Sequence, residues 1–261
     1  AKVTLIEAGE MGGDCLNYGC VPSKAVIKSA KIAEQIRHGE HYGLENMAPQ
    51  FSFKKVMARV HQVIADIAPH DSVERYTNLG VDVVKGYGKL LDPWTVEIKL
   101  NDGGTQTLTA RTIVIATGAR PFVPPLPGIE ETGYVTSDTL WTKFAELEEA
   151  PKKLVVLGGG PIGSELAQSF ARLGSNVTQI EMAERIMIKE DLEVSTFAHE
   201  ALIESGVNIL TSHQTLRCEA RDGKKFIVVK HNDTEIDIEY DELLCAVGRS
   251  ARLKGYGLEE L

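Results

Sequence analysis

Cys15 and Cys20 stand with four residues between them in Gly12-Gly13-Asp14-Cys15-Leu16-Asn17-Tyr18-Gly19-Cys20-Val21-Pro22-Ser23-Lys24. Behind them Ala25, Val26, Ile27, Ala30, Ile32, Ala33 and Ile36 recur at helical spacing, predicting a helix from Pro22 to about Gly39. Cys20 then lies just before a helix N-terminus, where partial positive charge favours a thiolate. A disulfide closing so short a loop stabilises a fold by only roughly 2 kcal/mol. Small stability and an activated thiolate point to a bond that opens and closes, which is redox chemistry. Two other readings stay open on spacing alone. One is half of a zinc site, which needs a second pair of ligands; the other is two unrelated free thiols. Cys218 and Cys245 lie far downstream in apolar surroundings and read as buried thiols.

The second chemical signal is Gly158-Gly159-Gly160-Pro161-Ile162-Gly163, which matches G-x-G-x-x-G. It follows a strand, Lys153–Leu157, and opens a helix that runs through Leu173 and stops at Gly174. The next strand, Asn176 to Ile180, ends in an acid, Glu181. Strand, glycine turn, helix, strand and terminal acid together mark a dinucleotide-binding unit. Gly158, Gly160 and Gly163 permit the tight turn and close approach to a pyrophosphate, and the helix N-terminus supplies amides. Glu181 accepts from both ribose hydroxyls and repels a 2′-phosphate, favouring NADH over NADPH; Arg185, close by, acts against that preference.

The elements that must position these groups follow from periodicity. Lys2–Glu7 reads as a strand ending in an acid, a second strand of a dinucleotide unit whose first strand and glycine turn should come earlier, so the chain reads as a fragment or as one lacking its start. A second helix begins near Ser52, with Val56, Val60, Val63, Ile64 and Ile67 on one face; Pro69 interrupts it and Gly80 ends its continuation. Val81–Val84 and Trp94–Ile98 alternate as strands, Gly86-Tyr87-Gly88 lies between them and allows close backbone approach, and Asn101-Asp102-Gly103-Gly104 is a hairpin turn. Thr112–Ala116 reads as a buried strand emptying into Thr117-Gly118. A proline-rich linker from Pro121 to Gly128 leads to a short helix capped by Ser137 or Asp138 and running through Glu149, and a boundary falls near residue 150. Further on, Glu190 to Ser205 reads as a helix, Val207–Thr211 as a strand, Asp222-Gly223-Lys224 as a hairpin turn, and Leu243–Arg249 closes the unit.

Composition excludes several classes. A formal charge of −9 with no basic cluster argues against a nucleic-acid partner. The longest apolar runs, such as Ile113–Ala116, are strand-length and far short of a membrane span, and no signal peptide is visible. Four cysteines, two of them placed for redox work, suit a reducing cytoplasm. The seven histidines form no metal-ligand spacing, and no metal site is read.

The string G-G-x-C-x-N-x-G-C-x-P-S-K resembles the active-site segment of the class I flavoprotein disulfide reductases, among them dihydrolipoamide dehydrogenase, glutathione reductase and mercuric reductase. Ala116-Thr117-Gly118 resembles the A-T-G signature of their flavin domain, and Ala246-Val247-Gly248-Arg249 their A-x-G-R turn. The resemblance implies an α/β architecture of Rossmann-like three-layer FAD- and NAD(P)-binding domains with inserted antiparallel β segments. It divides the chain into a partial FAD-binding domain over 1–150 carrying the cysteine pair, an NAD(P)-binding domain over 151–248, and the start of a return to the FAD domain over 249–261. It implies electron flow from NADH (NADPH less favoured) through FAD to a Cys15–Cys20 disulfide, and on to a small-molecule or protein disulfide or to Hg(II). Cys15 is the implied interchange thiol and Cys20 the flavin-facing thiol; Lys24 approaches the flavin and pairs with Glu165. Glu7, Gly12, Gly13, Asp14, Lys24, Gly86, Gly88, Ala116, Thr117 and Gly118 are implied FAD contacts. Gly158, Gly160, Gly163, Glu165, Glu181, Thr215, Val247 and Gly248 are implied contacts of the nicotinamide nucleotide.

Two positions depart from the family pattern. Asp14 replaces a Thr beside the first cysteine, and Pro161 stands where many members carry a Tyr over the nicotinamide pocket. The family's later flavin-binding turn, dimerisation domain and catalytic His–Glu pair lie beyond Leu261. A homodimer is therefore implied for a longer parent, and little turnover for this chain alone. Glu165–Ser175 resembles the mercuric reductase helix, whereas Glu181 resembles dihydrolipoamide dehydrogenase. Two alternatives stand beside this reading: a non-catalytic nucleotide-binding or redox-sensing module, and an NADH:flavin reductase with an idle disulfide.

Overall fold

A computed structural model describes residues 2–261. Strand β1 (Val3–Glu7) leads through glycines into a one-turn helix, α1 (Gly13–Asn17), and then α2 (Cys20–Arg37). Helices α3 (Phe53–Ile67) and α4 (Val73–Asn78) precede strands β2 (Val81–Asp92), β3 (Thr95–Leu100) and β4 (Thr105–Thr109). β1 lies parallel to the first half of β2, Val3 opposite Val81 and Glu7 opposite Lys85, and β2, β3 and β4 continue as an antiparallel meander. Ser52 caps α3 by accepting the Lys55 N–H, as its position before the apolar face requires. The small residues Ala25, Ala30 and Ala33 on α2 permit close packing against its neighbours.

Three expectations change here. Helix α2 starts at Cys20 rather than Pro22, so Cys20 is its first residue. Proline fits anywhere in the first turn, because those N–H groups have no intrahelical acceptor to lose. Gly86 and Gly88 lie within one continuous strand, β2, rather than between two. A Cβ on Gly86 would sit 2.6 Å from the Lys99 carbonyl oxygen on β3, so this glycine admits a cross-strand neighbour. Residues 112–116 form no strand, and Val114 is 82% exposed. Strand propensity needs a partner for its N–H and C=O groups, and among the described residues the sheet β1-β2-β3-β4 places none beside this segment.

The chain then crosses through β5 (Ala119–Pro121), α5 (Ile129–Thr132), β6 (Val135–Thr136) and α6 (Leu140–Ala145). Helix α6 ends at Ala145, short of the expected Glu149, and Thr139 rather than Ser137 or Asp138 takes its N-cap position. The nucleotide-type unit follows as β7 (Lys153–Leu157), α7 (Pro161–Arg172), β8 (Asn176–Ile180), α8 (Leu192–Glu204) and β9 (Asn208–Leu210). An antiparallel sheet of β10 (Gln214–Arg221), β11 (Lys224–His231) and β12 (Thr234–Tyr240) comes next, then β13 (Glu242–Cys245) and β14 (Arg249–Ala251). The parallel sheet has the order β6-β13-β7-β8-β9, so its edge strand comes from ahead of Pro151. β14 pairs with β5, Arg249 opposite Pro121.

Two cores hold these layers. The larger joins Val26, Met57, Val60, Trp141, Phe144, Val156, Phe170 and Leu244, so α2, α3 and α6 share one apolar interior with α7 and the parallel sheet. The smaller lies between the parallel sheet and β10–β12, built on Val155, Ile180, Ile227, Val229, Tyr240 and Leu243, and it buries both Cys218 and Cys245. No helix among the described residues is long and apolar enough to cross a membrane.

Candidate active site

Gly12 and Gly13 carry positive φ angles of 86° and 56°, which turn the chain from β1 sharply into α1. Asn17 closes this turn by donating to Met11 O and Gly13 O, and Leu16 anchors it by burial. The Tyr18 and Gly19 N–H groups both donate to Asp14 O, after which the chain restarts as α2 at Cys20. A Cβ on Gly19 would meet that oxygen at 3.0 Å. Cys15 and Cys20 thus occupy the two sides of one tight break between helices, both exposed, and both are thiols. The hydrogen bond to Cys20, helped by desolvation, holds the Cys15 thiol above its ordinary range.

At the second motif Gly158 has φ 114° and its N–H donates to Ile180 O. A Cβ there would overlap the Ala246 carbonyl, so the turn packs backbone to backbone against the chain just after β13. Gly160 precedes Pro161 at the start of α7, and nothing lies within 4 Å of its Cβ position. That open space is where an anion can approach the helix N-terminus. Glu181 is held from below, one carboxylate oxygen accepting Gly159 N–H at 2.6 Å and the other Ala183 N–H at 2.8 Å. A carboxylate retains lone pairs for two hydroxyls beyond these bonds. The Arg185 guanidinium donates to the carbonyls of Met187, Ile188 and Glu190, closing its own loop.

The two motifs meet. Lys24, fifth residue of α2, places its Nζ 2.9 and 2.8 Å from the two carboxylate oxygens of Glu165, fifth residue of α7. Arg249, which follows Gly248, donates to Asp14 at 2.5 Å, to Asp138 at 2.8 Å and to the Ala119 carbonyl at 3.1 Å. The A-x-G-R turn is thereby fixed to the residue beside Cys15. Phe122 N–H donates to Gly248 O, tying that turn to the linker.

Other predicted residues stand apart from this junction. Glu7 accepts Gly9 N–H at 2.7 Å, and Asn101 and Lys85 donate to the Ala8 and Gly9 carbonyls, holding the loop after β1 against β2 and β3. Gly86 and Gly88 are interior to β2. Ala116, Thr117 and Gly118 form an exposed irregular turn, held by Thr117 Oγ1 donating to Arg252 O and Arg252 N–H to Gly118 O. Thr215 pairs with Val229 at a bulge on β10, two residues after His213, whose N–H donates to Glu181 O.

Three residues that matter locally carried no motif signal. Trp141 donates from its indole to Tyr18 O, between the cysteines, at 2.8 Å. Asp138 is the second anchor of Arg249. Gln179, fully buried beneath the glycine turn, donates to Gly158 O and Ser164 Oγ. Only Gln179 offered a clue in sequence, as an amide between the apolar Val177 and Ile180 in the strand Asn176-Val177-Thr178-Gln179-Ile180.

Comparison with known proteins gives a consistent result. The chain is 34% identical over 264 residues to mercuric reductase of Lysinibacillus sphaericus, covering 99% of this chain and 47% of the relative. It is 36% identical over 269 residues to dihydrolipoamide dehydrogenase of Chaetomium thermophilum, covering 100% of this chain and 52% of the relative. Among solved structures, the HOCl-induced flavoprotein disulfide reductase RclA of Escherichia coli superimposes with a TM-score of 0.80 at 26% identity, over 100% of this chain and 54% of that one. LpdA of Mycobacterium tuberculosis shares the fold with a TM-score of 0.85. The chain spans about half the length of these relatives. The family model for pyridine nucleotide-disulphide oxidoreductases matches residues 1–261, and the chain belongs to that family.

Proposed function

We propose that this chain is the nucleotide-binding core of an FAD- and NADH-dependent oxidoreductase whose Cys15–Cys20 pair delivers electrons to a disulfide or to Hg(II). One observation carries the reading: the Lys24–Glu165 pair ties the N-terminal end of the cysteine-bearing helix to the N-terminal end of the helix after the glycine turn. Lys24 is 60% exposed and Glu165 39%, so the pair adds at most about 1 kcal/mol to stability. Its value lies in bringing the two motifs together. We assign 1–150 to a partial FAD-binding domain, 151–248 to an NAD(P)-binding domain and 249–261 to a return toward the first. A homodimer is the assembly we infer from the family.

The residues fit the nucleotides on local grounds. Gly160 leaves open space at a helix N-terminus, Glu181 is preset by two backbone amides, and the exposed Gly118 has nothing within 4 Å of its Cβ position. Arg185 spends its donors on three carbonyls, which leaves Glu181 to set the preference for NADH over NADPH. Bound FAD would supply two-electron chemistry between the nicotinamide and the cysteine pair. The chain's own step is thiol–disulfide exchange. The Cys15 thiolate attacks one acceptor sulfur and expels the other as a thiolate. Cys20 then attacks Cys15, releasing the second acceptor thiol and re-forming Cys15–Cys20, so two thiols are oxidised as one acceptor disulfide is reduced. With FAD bound, Lys24 would supply a positive charge that stabilises the anionic reduced flavin.

The test is an anaerobic NADH titration of the FAD-reconstituted protein, followed by absorbance. A long-wavelength charge-transfer band that disappears in Cys20→Ser supports the reading. Flavin bleaching that neither Cys15→Ser nor Cys20→Ser alters sinks it in favour of a flavin reductase. A protein that binds no FAD leaves a redox-sensing module.

A further inference from the structure

The turn carrying Cys15 is weakly built in itself. A single helical turn such as α1 has no stability alone, and its N-cap, Gly12, contributes no side-chain bond. The Tyr18 carbonyl faces the break between the helices, and its partner is the Trp141 indole N–H at 2.8 Å. Trp141 is only 3% exposed, is packed in the larger core and is fixed at its own carbonyl by His61 Nε2 at 3.2 Å. On the other side of Cys15, Asp14 is held by Arg249, and Arg249 is held by Asp138 and by Ser137 Oγ at 3.2 Å. Residues 14 and 18 therefore both connect to one short segment, 137–141, just ahead of and within α6.

We infer that Trp141 and Arg249 are positioning residues for the cysteine pair, gripping the Cys15 turn on both sides and so setting how readily Cys15 and Cys20 join. A disulfide demands a narrow range of Cα separation and a torsion near a right angle, so small movements of the turn shift the dithiol–disulfide equilibrium. Arg249 adds an electrostatic part. It pairs with the carboxylate of Asp14, offsetting the charge of the residue that precedes Cys15. Lysine cannot replace this arginine, because one ammonium cannot span Asp14, Asp138 and the Ala119 carbonyl.

This inference rests on the redox reading of the pair. It is tested by equilibrating the full chain in glutathione buffers, where oxidised glutathione takes two electrons and two protons from the two thiols and leaves as two glutathiones. Acid quenching and thiol labelling then count the Cys15–Cys20 disulfide. Trp141→Phe keeps the ring and removes the donor; Arg249→Lys keeps the charge and loses the span. Each is expected to shift the equilibrium constant at least fivefold, whereas Phe144→Leu, in the same core and away from the turn, shifts it less than twofold at a comparable loss in thermal midpoint. Should Trp141→Phe fail to fold, Arg249→Lys carries the same test. Constants within twofold of wild type in the folded variants overturn this inference alone. A wild-type chain that keeps two reactive thiols at every glutathione ratio overturns the redox reading together with it.

Discussion

Gly163→Ala sets two effects against each other. Gly163 lies within α7, where alanine is ordinarily the better residue by about 1 kcal/mol. Here, however, the added Cβ would stand under 3.0 Å from the Gly158 carbonyl oxygen, and a carbon–oxygen contact needs roughly 3.3 Å. The oxygen cannot retreat freely. It accepts from Gln179 Nε2 at 3.0 Å, and the same residue's N–H donates to Ile180 O at 2.8 Å. Overpacking of this kind costs about 1–3 kcal/mol, so the steric effect offsets the helix gain and leaves a net loss of up to about 2 kcal/mol, lowering the thermal midpoint by up to about 8 °C. NADH affinity, read by titration calorimetry, falls with it because the turn is displaced. Gly160→Ala is the counterpart. Its backbone is extended and nothing lies within 4 Å of the Cβ, so the midpoint stays within about 1 °C while NADH affinity drops about tenfold or more. A raised midpoint in Gly163→Ala, or wild-type NADH affinity in Gly160→Ala, would contradict this account of the turn.

Three further outcomes are expected. Replacing Cys20 with Ala removes the hydrogen bond that contributes most to holding the Cys15 proton, so iodoacetamide should alkylate Cys15 several-fold faster at pH 8; an unchanged or slower rate contradicts the assignment. Burial pushes Cys245 up to about 11 from an ordinary value of 9.0, so the folded chain holds that proton more tightly than the unfolded one. The associated stability is complete below about pH 9 and is lost as pH rises toward 11, a fall on the order of 2–3 kcal/mol that Cys245→Ala should abolish. Equal drops in urea midpoint from pH 8 to 10.5 in wild type and variant would count against it. Lys24→Ala should change stability by less than about 1 kcal/mol in urea unfolding, since both partners are largely exposed; a larger loss would mean that the pair is structural.

The parts of the fold legible in sequence are those whose signal is local. Lys153 to Glu181 declares itself because strand period, glycine turn, helix period and terminal acid follow one another without interruption. The Cys15–Cys20 segment points to its family through the full G-G-x-C-x-N-x-G-C-x-P-S-K string rather than through spacing alone, and it leaves the helix start inexact, because proline marks the first turn of a helix rather than its first residue. Residues 112–116 mislead for the opposite reason: apolar β-branched side chains report a preference for a sheet, while formation depends on a partner strand that sequence does not show. The long-range bonds to the cysteine turn are invisible in sequence for a geometric reason. Trp141 reaches a carbonyl 123 residues away and Arg249 a carboxylate 235 residues away, and neither sits in a periodic pattern.

The two motifs differ in rigidity. The glycine turn is braced from inside the sheet, by Gly158 N–H on Ile180 O, by buried Gln179, and by direct packing against Ala246. The cysteine turn is braced largely at the surface: Asp14, Lys24 and both thiols are exposed, and Trp141 and Leu16 are its main buried holds. Thiol–disulfide exchange requires Cys15 to reach an outside sulfur and then return to Cys20, which a soft turn permits and a rigid one resists. A nucleotide loop gains from the reverse, since a preset cradle loses less entropy on binding. Amide hydrogen exchange should therefore show Gly19 N–H, bonded to Asp14 O, exchanging at least about tenfold faster than Gly158 N–H. In Trp141→Phe the Gly19 rate should rise further while that of Gly158 holds. Equal protection at the two amides would mean that both motifs open only with the whole fold, and exchange at Cys15 would then proceed without movement of its turn.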